Sequence, residues 1–314
     1  MSQLDIDKKY MRRCLQLAAN GLLTAKPNPM VGAVLVCGGR IIGEGYHVRC
    51  GEGHAEVNCF ASVASRDMAL VPSATLYVSL EPCSHYGRTP PCADLIVSRG
   101  VKRVVIGCVD PFAKVQGRGI QKLRDAGVEV TVGVLDTECR RLNRRFITMH
   151  THHRPYIILK WAQTADGYMD DHFRPLQISN GFTQMLSHKL RAESDAILVG
   201  RVTAERDRPR LNVREWSGAD PERVVLDHRT SIDGVLRQLY DAQRQSLIVE
   251  GGAVTLRSFM DRGLWDEARV ETAPMLTHGG TQAPSLPLQA RLRCSRNYGG
   301  NTYNIFDNTE FLTD

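Results

Sequence analysis

Between residues 10 and 20 the apolar positions Met11, Cys14, Leu15, Leu17 and Ala18 recur at helical spacing, and Gly21 follows as a C-cap. The next two apolar stretches, residues 31–37 and 40–46, are strand-sized and flank Gly38-Gly39, which predicts a hairpin with a two-residue turn. Helical spacing returns over 54–65, with Val57, Phe60, Ala61 and Ala64 on one face. A strand at 75–79, a helix at 93–99 stopped by Gly100 and a buried strand at 101–107 come next. A helix at 119–126 and a strand at 128–133 complete this half. Strands alternating with helices predict an α/β layer sandwich.

Residues 144–155 are basic, rich in histidine and closed by Pro155, and they break the pattern. The reading is a first domain over 1–147, a linker over 148–154 and a second domain over 155–314. Alternation then restarts with strands at 156–161, 196–199, 223–226, 246–250 and 267–272. Helices are expected at 182–192, 234–243 and 255–262. The second domain is therefore also α/β. A chain of 314 residues fits two domains at roughly 150 residues each.

Composition narrows the class. At 42% hydrophobic and 24% charged residues, the chain is neither disordered nor collagen-like nor a disulfide miniprotein. No apolar run approaches the roughly 18 residues of a spanning helix, and the first residues carry charge where an export signal needs apolar ones. A cytoplasmic protein without a membrane partner is expected. The nine cysteines are odd in number and scattered, which favours free thiols or metal ligands over disulfides. A net charge of +6 fits a solvated basic surface, a phosphate-bearing substrate or, less well, nucleic acid. Charge alone does not decide among them.

The sharpest chemistry lies in His54-Ala55-Glu56, Pro82-Cys83 and Cys92. A catalytic zinc takes three nitrogen or sulfur ligands and keeps a fourth position for water. His54, Cys83 and Cys92 each precede a helical stretch, where the helix N-terminus favours thiolate. Glu56 is placed to take a proton from the bound water and pass it to a leaving amine. This is the zinc deaminase signature. A structural zinc site, with His85 or Cys59 as fourth ligand, is the competing reading, and His-x-Glu alone is common. A nucleoside or nucleic-acid deaminase is a further rival. The eight residues between Cys83 and Cys92 depart from its usual two, so no nucleic-acid partner is expected.

The run Glu81-Pro82-Cys83-Ser84-His85-Tyr86-Gly87-Arg88-Thr89-Pro90-Pro91-Cys92 resembles the pyrimidine deaminase of riboflavin biosynthesis. So do Pro27-Asn28-Pro29-Met30-Val31-Gly32, Gly51-Glu52-Gly53-His54-Ala55-Glu56, Asp110-Pro111 and Gly117-Arg118-Gly119, and the likeness spans residues 8–147. The resemblance implies a cytidine-deaminase-like α/β/α sandwich. It also implies deamination of 2,5-diamino-6-ribosylamino-4(3H)-pyrimidinone 5′-phosphate, with Asn28, His47 and His85 lining the pocket. Arg118 is a candidate phosphate partner. Phe112 stands where the family carries Asn, which removes a ring contact expected there.

In the second half, Glu250-Gly251-Gly252 follows an apolar strand and opens a helix, a turn whose amides can receive phosphate. No Gly-x-Gly-x-x-Gly fingerprint is present. The runs 159–167, 190–197, 199–203, 207–214 and 249–252 resemble the riboflavin-pathway reductase domain, whose fold is like dihydrofolate reductase. That resemblance implies NADPH as hydride donor to the ribosyl group. Substrate contacts then fall on Arg191, Leu211, Arg214 and Glu250, and cofactor contacts on Ala162, Gln177, Thr203, Asp207 and Gly252. It also implies a homo-oligomer formed through this domain. Relative to the family, the stretch after Asp227 is short by several tens of residues. The expectation is that a segment between Leu226 and Gly234 is omitted, leaving a wide gap there. Were the shortening real, the strand at 246–250 would have lost a neighbour; a domain that also failed to bind NADPH would be a dimerisation scaffold. The histidines at 150, 152 and 153 could bind metal but read better as a solvated linker.

Overall fold

The computed structural model describes residues 2–84, 86, 90–111 and 116–311. It divides into two compact units, Met1–His152 and His153–Asp314.

The first unit opens with α1 (Gln3–Ala18), whose N-terminus is closed by a Ser2–Asp5 capping box. The hairpin β1 (Gly32–Cys37) and β2 (Arg40–Tyr46) follows, then α2 (Ala55–Ala61) and β3 (Thr75–Leu80). After them come α3 (Cys92–Ser98), β4 (Arg103–Cys108), α4 (Arg118–Asp125) and β5 (Glu129–Val132). The unit ends with α5 (Asp136–Leu142) and α6 (Arg144–His152). The sheet runs β2-β1-β3-β4-β5, antiparallel through β3 and parallel beyond it.

Side chains alternate across β1, so Ala33 and Leu35 face one layer and Val34 and Val36 the other. Ala55, Phe60, Ile96 and Leu123 of α2, α3 and α4 fill the first layer, while Tyr10, Met11 and Cys14 of α1 fill the second. The result is the expected three-layer sandwich. At Gly45 the α2 backbone passes so close that a Cβ would lie 2.3 Å from the Cys59 nitrogen. Only glycine lets α2 sit down on β2.

The second unit contains β6 (Tyr156–Thr164), α7 (Gly181–Glu193), β7 (Ala196–Gly200), α8 (Arg201–Arg206) and β8 (Glu222–Leu226). It continues with α9 (Ile232–Asp241), β9 (Ser246–Val249), α10 (Ala253–Met260) and β10 (Glu267–Ala273). The closing hairpin is β11 (Ala290–Tyr298) and β12 (Asn301–Asn308), turning at Gly299 and Gly300 with φ of 58° and 93°. The sheet order is β11-β12-β10-β6-β9-β7-β8, parallel from β10 to β8. Ile157, Leu159 and Trp161 pack under α9 and α10, and Tyr156 and Ile158 pack with Leu190 of α7 on the other face.

Three expectations need correction. The proposed linker is helical as far as His152, because Phe146, Thr148 and Met149 give α6 a buried face that the polar reading overlooked. The hairpin β11–β12 was not anticipated at all, although Gly299-Gly300 carried its signal. Finally, no gap lies between Leu226 and Gly234. The Asp227 carboxylate accepts from the Arg229 nitrogen at 2.8 Å and the Thr230 hydroxyl at 2.9 Å, and Ser231 caps α9 through the Gly234 nitrogen at 3.0 Å. The connection is a complete short turn. Moreover, β9 has neighbours on both sides, and β8 is the open edge on that side of the sheet. No helix among the described residues is long and apolar enough to cross a membrane.

Candidate active sites

Strand β3 runs up the middle of the first sheet and ends at Leu80, delivering Glu81-Pro82-Cys83 to its carboxyl edge. Helices α2 and α3 pack on one face of that sheet, so both N-termini point to the same edge. His54 is the N-cap of α2 and Cys92 the first residue of α3. The His54 Nδ1 lies 3.6 Å from the Cys83 Sγ and 3.4 Å from the Cys92 Sγ. All three ligand atoms fall within 4.8 Å of one another. Among the described residues this is the one group of three or more side chains gathered to hold a metal, and the histidines of α6 do not form a second. A borderline-soft cation such as zinc fits a donor set of one imidazole and two thiols.

The electrostatics suit it. The Cys92 nitrogen, at the start of α3, donates to the Cys83 Sγ at 3.3 Å. The Cys83 thiol is pulled well below its ordinary range, first by its hydrogen bond with Cys92 and then by His54, against the cost of burial. Glu56 is 3% exposed, and burial, reinforced by the charge on Cys83, raises its carboxyl to about 7. Cys59 packs in the apolar core, where burial pushes its thiol up, so it is not a fourth ligand. His85, the other candidate, lies outside the described residues, as does Phe112.

Asn28 and His47 meet beside this centre. The Gly53 carbonyl only accepts, so the His47 Nδ1, at 3.1 Å, carries the proton and Nε2 accepts from the Asn28 Nδ2 at 3.0 Å. With its amide nitrogen thus engaged, Asn28 offers Oδ1 as an acceptor. The His47 and His54 rings stand edge to face at 5.4 Å. Arg118 is exposed at the start of α4.

One residue of the motif was passed over. Glu81 is buried, and its carboxylate accepts from the backbone nitrogens of Asp110 (3.3 Å), Gly117 (2.9 Å), Gly119 (2.9 Å) and Ile120 (3.3 Å). It caps α4 and ties that helix to the Cys83 loop. A Cβ on Gly119 would lie 2.0 Å from the Pro82 carbonyl oxygen, so this glycine permits the approach.

The second unit holds a cavity of about 850 Å³ along the carboxyl ends of β6, β7, β8 and β9. Arg191, Arg214 and Glu250 line it, as do Ala162, Gln177, Thr203, Asp207 and Gly252. Leu211 does not: it is buried with Tyr156, Ile158 and Leu190, at a φ of +52°. The polar groups are largely bound to one another. Arg191 makes two bonds to Glu250, at 2.6 and 3.2 Å, and a third to the Asn212 carbonyl at 3.3 Å. Burial pushes the Glu250 carboxyl up, but Lys160 and Arg191 outweigh it and hold the group below its ordinary range. The Gly252 nitrogen donates to the Thr203 hydroxyl at 3.2 Å, and Asp207 takes both arms of Arg206 at 2.7 and 3.1 Å.

Two cavity residues went unassigned in the sequence reading. Lys160 sits on β6 between buried Leu159 and Trp161, and a lysine inside an apolar strand was the available signal. His188 is 1% exposed, and its Nδ1 accepts from the Arg214 nitrogen at 3.1 Å. Burial, then Arg191 and Arg214, lower its pKa.

Comparison with known proteins bears on both units. Residues 4–108 match the family model for the cytidine and deoxycytidylate deaminase zinc-binding region, and residues 155–298 match that for the RibD C-terminal domain. The riboflavin biosynthesis protein RibD of Aquifex aeolicus (strain VF5) is 36% identical over 331 aligned residues, covering 91% of this chain and 92% of that protein. A diaminohydroxyphosphoribosylaminopyrimidine deaminase/5-amino-6-(5-phosphoribosylamino)uracil reductase from Thermotoga maritima superposes with a TM-score of 0.89 at 32% identity, over 98% of this chain and all of that one. The structure of Acinetobacter baumannii RibD gives 0.87 at 30% identity, over 97% and 99% of the two chains. A match of this extent, through both the metal-binding edge and the reductase cavity, places the chain in the RibD family of riboflavin-biosynthesis enzymes, which join a zinc-dependent deaminase to an NADPH-dependent reductase.

Proposed function

We propose that the first unit deaminates 2,5-diamino-6-ribosylamino-4(3H)-pyrimidinone 5′-phosphate and that the second reduces the ribosyl group of the product to a ribityl chain. The observation that carries this reading is the convergence of His54, Cys83 and Cys92 with buried Glu56 beside them. These three side chains hold the zinc. Bound zinc lowers the pKa of a coordinated water toward 7. Glu56, in an environment that raises its own proton affinity, accepts a proton and delivers it to the departing amine. Asn28, with its amide set by His47, accepts a hydrogen bond from a ring N–H.

In the second unit, bound NADPH supplies the hydride. Opening the ribosyl ring also requires a proton at the departing ring oxygen. Lys160, His188 and Glu250 are among the titratable groups that line that cavity. Ala162, Gln177, Thr203, Asp207 and Gly252 form the cofactor wall, and Arg191 and Arg214 form the substrate side. Arg214 and Lys160 are the cations that suit the phosphorylated sugar, because the fork of Arg191 is already taken by Glu250. Self-association through this unit completes the proposal, and the open nine-residue edge strand β11 supports it. The nine free cysteines suit a cytoplasmic setting.

The decisive experiment supplies purified protein with the diaminopyrimidinone phosphate and follows ammonia release, then adds NADPH and follows its oxidation. Both signals are expected, in that order. Ammonia release without NADPH oxidation, repeated with the deaminated compound, would reduce the second unit to a scaffold.

A further inference from the structure

We infer that Asn143 is a positioning residue of the deamination site: it clamps the loop that presents Asn28. This rests on the reading of Asn28 as a contact to the substrate ring.

Asn143 stands at the joint between α5 and α6, as the C-cap of one, while its carbonyl accepts from Ile147 of the other at 2.9 Å. It is 2% exposed. Its Oδ1 accepts from the Met30 nitrogen at 2.8 Å, and its Nδ2 donates to the Met30 carbonyl at 2.8 Å. One side chain thus satisfies both backbone groups of one residue, as an adjacent strand would. Met30 needs this, because β1 begins only at Gly32.

The hold on Met30 reaches Asn28 through very few free torsions. Pro29 lies between them with φ fixed by its ring, and Asn28, as the residue before a proline, is itself confined to extended backbone. On the far side, the Asn28 nitrogen donates to the Ala25 carbonyl at 2.9 Å and its side chain to His47. The His47 nitrogen in turn bonds the Val31 carbonyl at 2.9 Å. The loop is therefore held at Ala25, Met30 and Val31, with Asn28 inside the span. Asn143 supplies a hold on this segment from 113 residues away.

Asparagine is the side chain of this length with both a donor and an acceptor. Aspartate keeps the bond to the Met30 nitrogen but turns an acceptor toward the Met30 carbonyl. Glutamine adds a methylene and shifts the loop.

The test compares Asn28→Ala, Asn143→Ala, Asn143→Ser and the Asn28→Ala/Asn143→Ala double variant in the full zinc-loaded chain. Deamination KM and kcat, zinc stoichiometry and NADPH oxidation on the deaminated compound are read for each. Asn143→Ala should raise the deamination KM about tenfold, the scale of one or two lost hydrogen bonds. Zinc content, kcat and reductase activity should stay within about twofold of the parent. In the Asn28→Ala background the same change should add little, because its effect passes through Asn28. If Asn143→Ala does not fold, Asn143→Ser gives the same comparison with the side chain too short to reach both Met30 groups.

KM effects that multiply in the double variant overturn the proposal while leaving Asn28 as a ring contact. Loss of zinc with an unchanged KM in the loaded fraction overturns it in favour of a purely structural role. An unchanged KM for Asn28→Ala overturns the reading of Asn28, and the proposal with it.

Discussion

The two sites solve opposite problems. In the first unit the three ligand atoms come from two helix starts and one strand end, all at one edge of a five-stranded sheet, and the backbone alone brings them together. In the second unit the cavity is broad, and its charged groups are cross-braced: Arg191 with Glu250, Arg206 with Asp207, Thr203 with Gly252. A small ion of fixed radius needs a few atoms in one place. A dinucleotide and a sugar phosphate need many contacts that can exchange partners as they arrive. The metal centre should therefore fail abruptly when one residue changes, and the cavity by degrees.

The sharpest break is at the ligands. Cys83→Ala or Cys92→Ala should abolish zinc binding and deamination together, while hydride transfer to the deaminated compound persists. A strong chelator should do the same to the parent protein, reversibly. Metal analysis alongside both assays checks this, and parallel loss of the reductase would mean the two sites are not independent.

Next is Glu56→Gln, which keeps shape and removes the base. Zinc should remain, and deamination should fall by about 10²–10⁴-fold, the usual range for a lost general acid–base group.

On the reductase side, Arg191→Met takes from Glu250 its hydrogen-bonded cation and leaves Lys160 as the other. The pair is half-buried, so the cost falls below the roughly 3–5 kcal/mol of a fully buried one, and the second unit should melt earlier while the first keeps its zinc and its activity. Calorimetry of the two transitions would show it. A loss confined to KM, with no change in melting, would instead mark Arg191 as a direct phosphate contact.

The smallest effect is a pH dependence carried by a residue of neither site. Asp7 is buried, and burial pushes its carboxyl up. Hydrogen bonds from Arg103 (2.8 and 3.0 Å), Gln3 (3.0 Å) and Tyr77 (2.9 Å) outweigh this and hold it below its ordinary range. A depressed carboxyl contributes stability that is complete above the unfolded value near 3.9 and lost as pH falls through the folded one. Asp7→Asn should cost the first unit about 1–3 kcal/mol at neutral pH and flatten its acid limb. Urea melts across an acid series measure both.

What could be read from the sequence follows the same divide. His54, Glu56, Cys83 and Cys92 were legible because metal chemistry fixes residue type and short spacing, and both β1 and β3 were legible because their apolar positions run at strand length. The Asn143–Met30 clamp was not, since partners 113 residues apart leave no period to detect. Glu81 was quoted as part of a motif without a role, because its four partners are backbone amides, which every sequence has. In the cavity, resemblance supplied eight lining residues, of which only Glu250 and Gly252 also stood in a local pattern. It missed Lys160 and His188 and placed Leu211 in a wall where the structure has it packed in the core. The joint between the units was misjudged for a physical reason. Histidines and arginines suggested solvent, while Phe146 and Met149 on the same helix are buried.

Glu81 also bears on how such a protein could be re-engineered. Its Oε2 receives the amides of both Asp110 and Gly117, so the two ends of the intervening stretch are fastened at one point directly behind Cys83. Chain inserted between fastened ends costs little, roughly 0.6 kcal/mol for each doubling of loop length. Asp110 and Gly117 are thus natural joins for grafted sequence, because the Glu81 carboxylate that holds both would keep the Cys83 edge in shape.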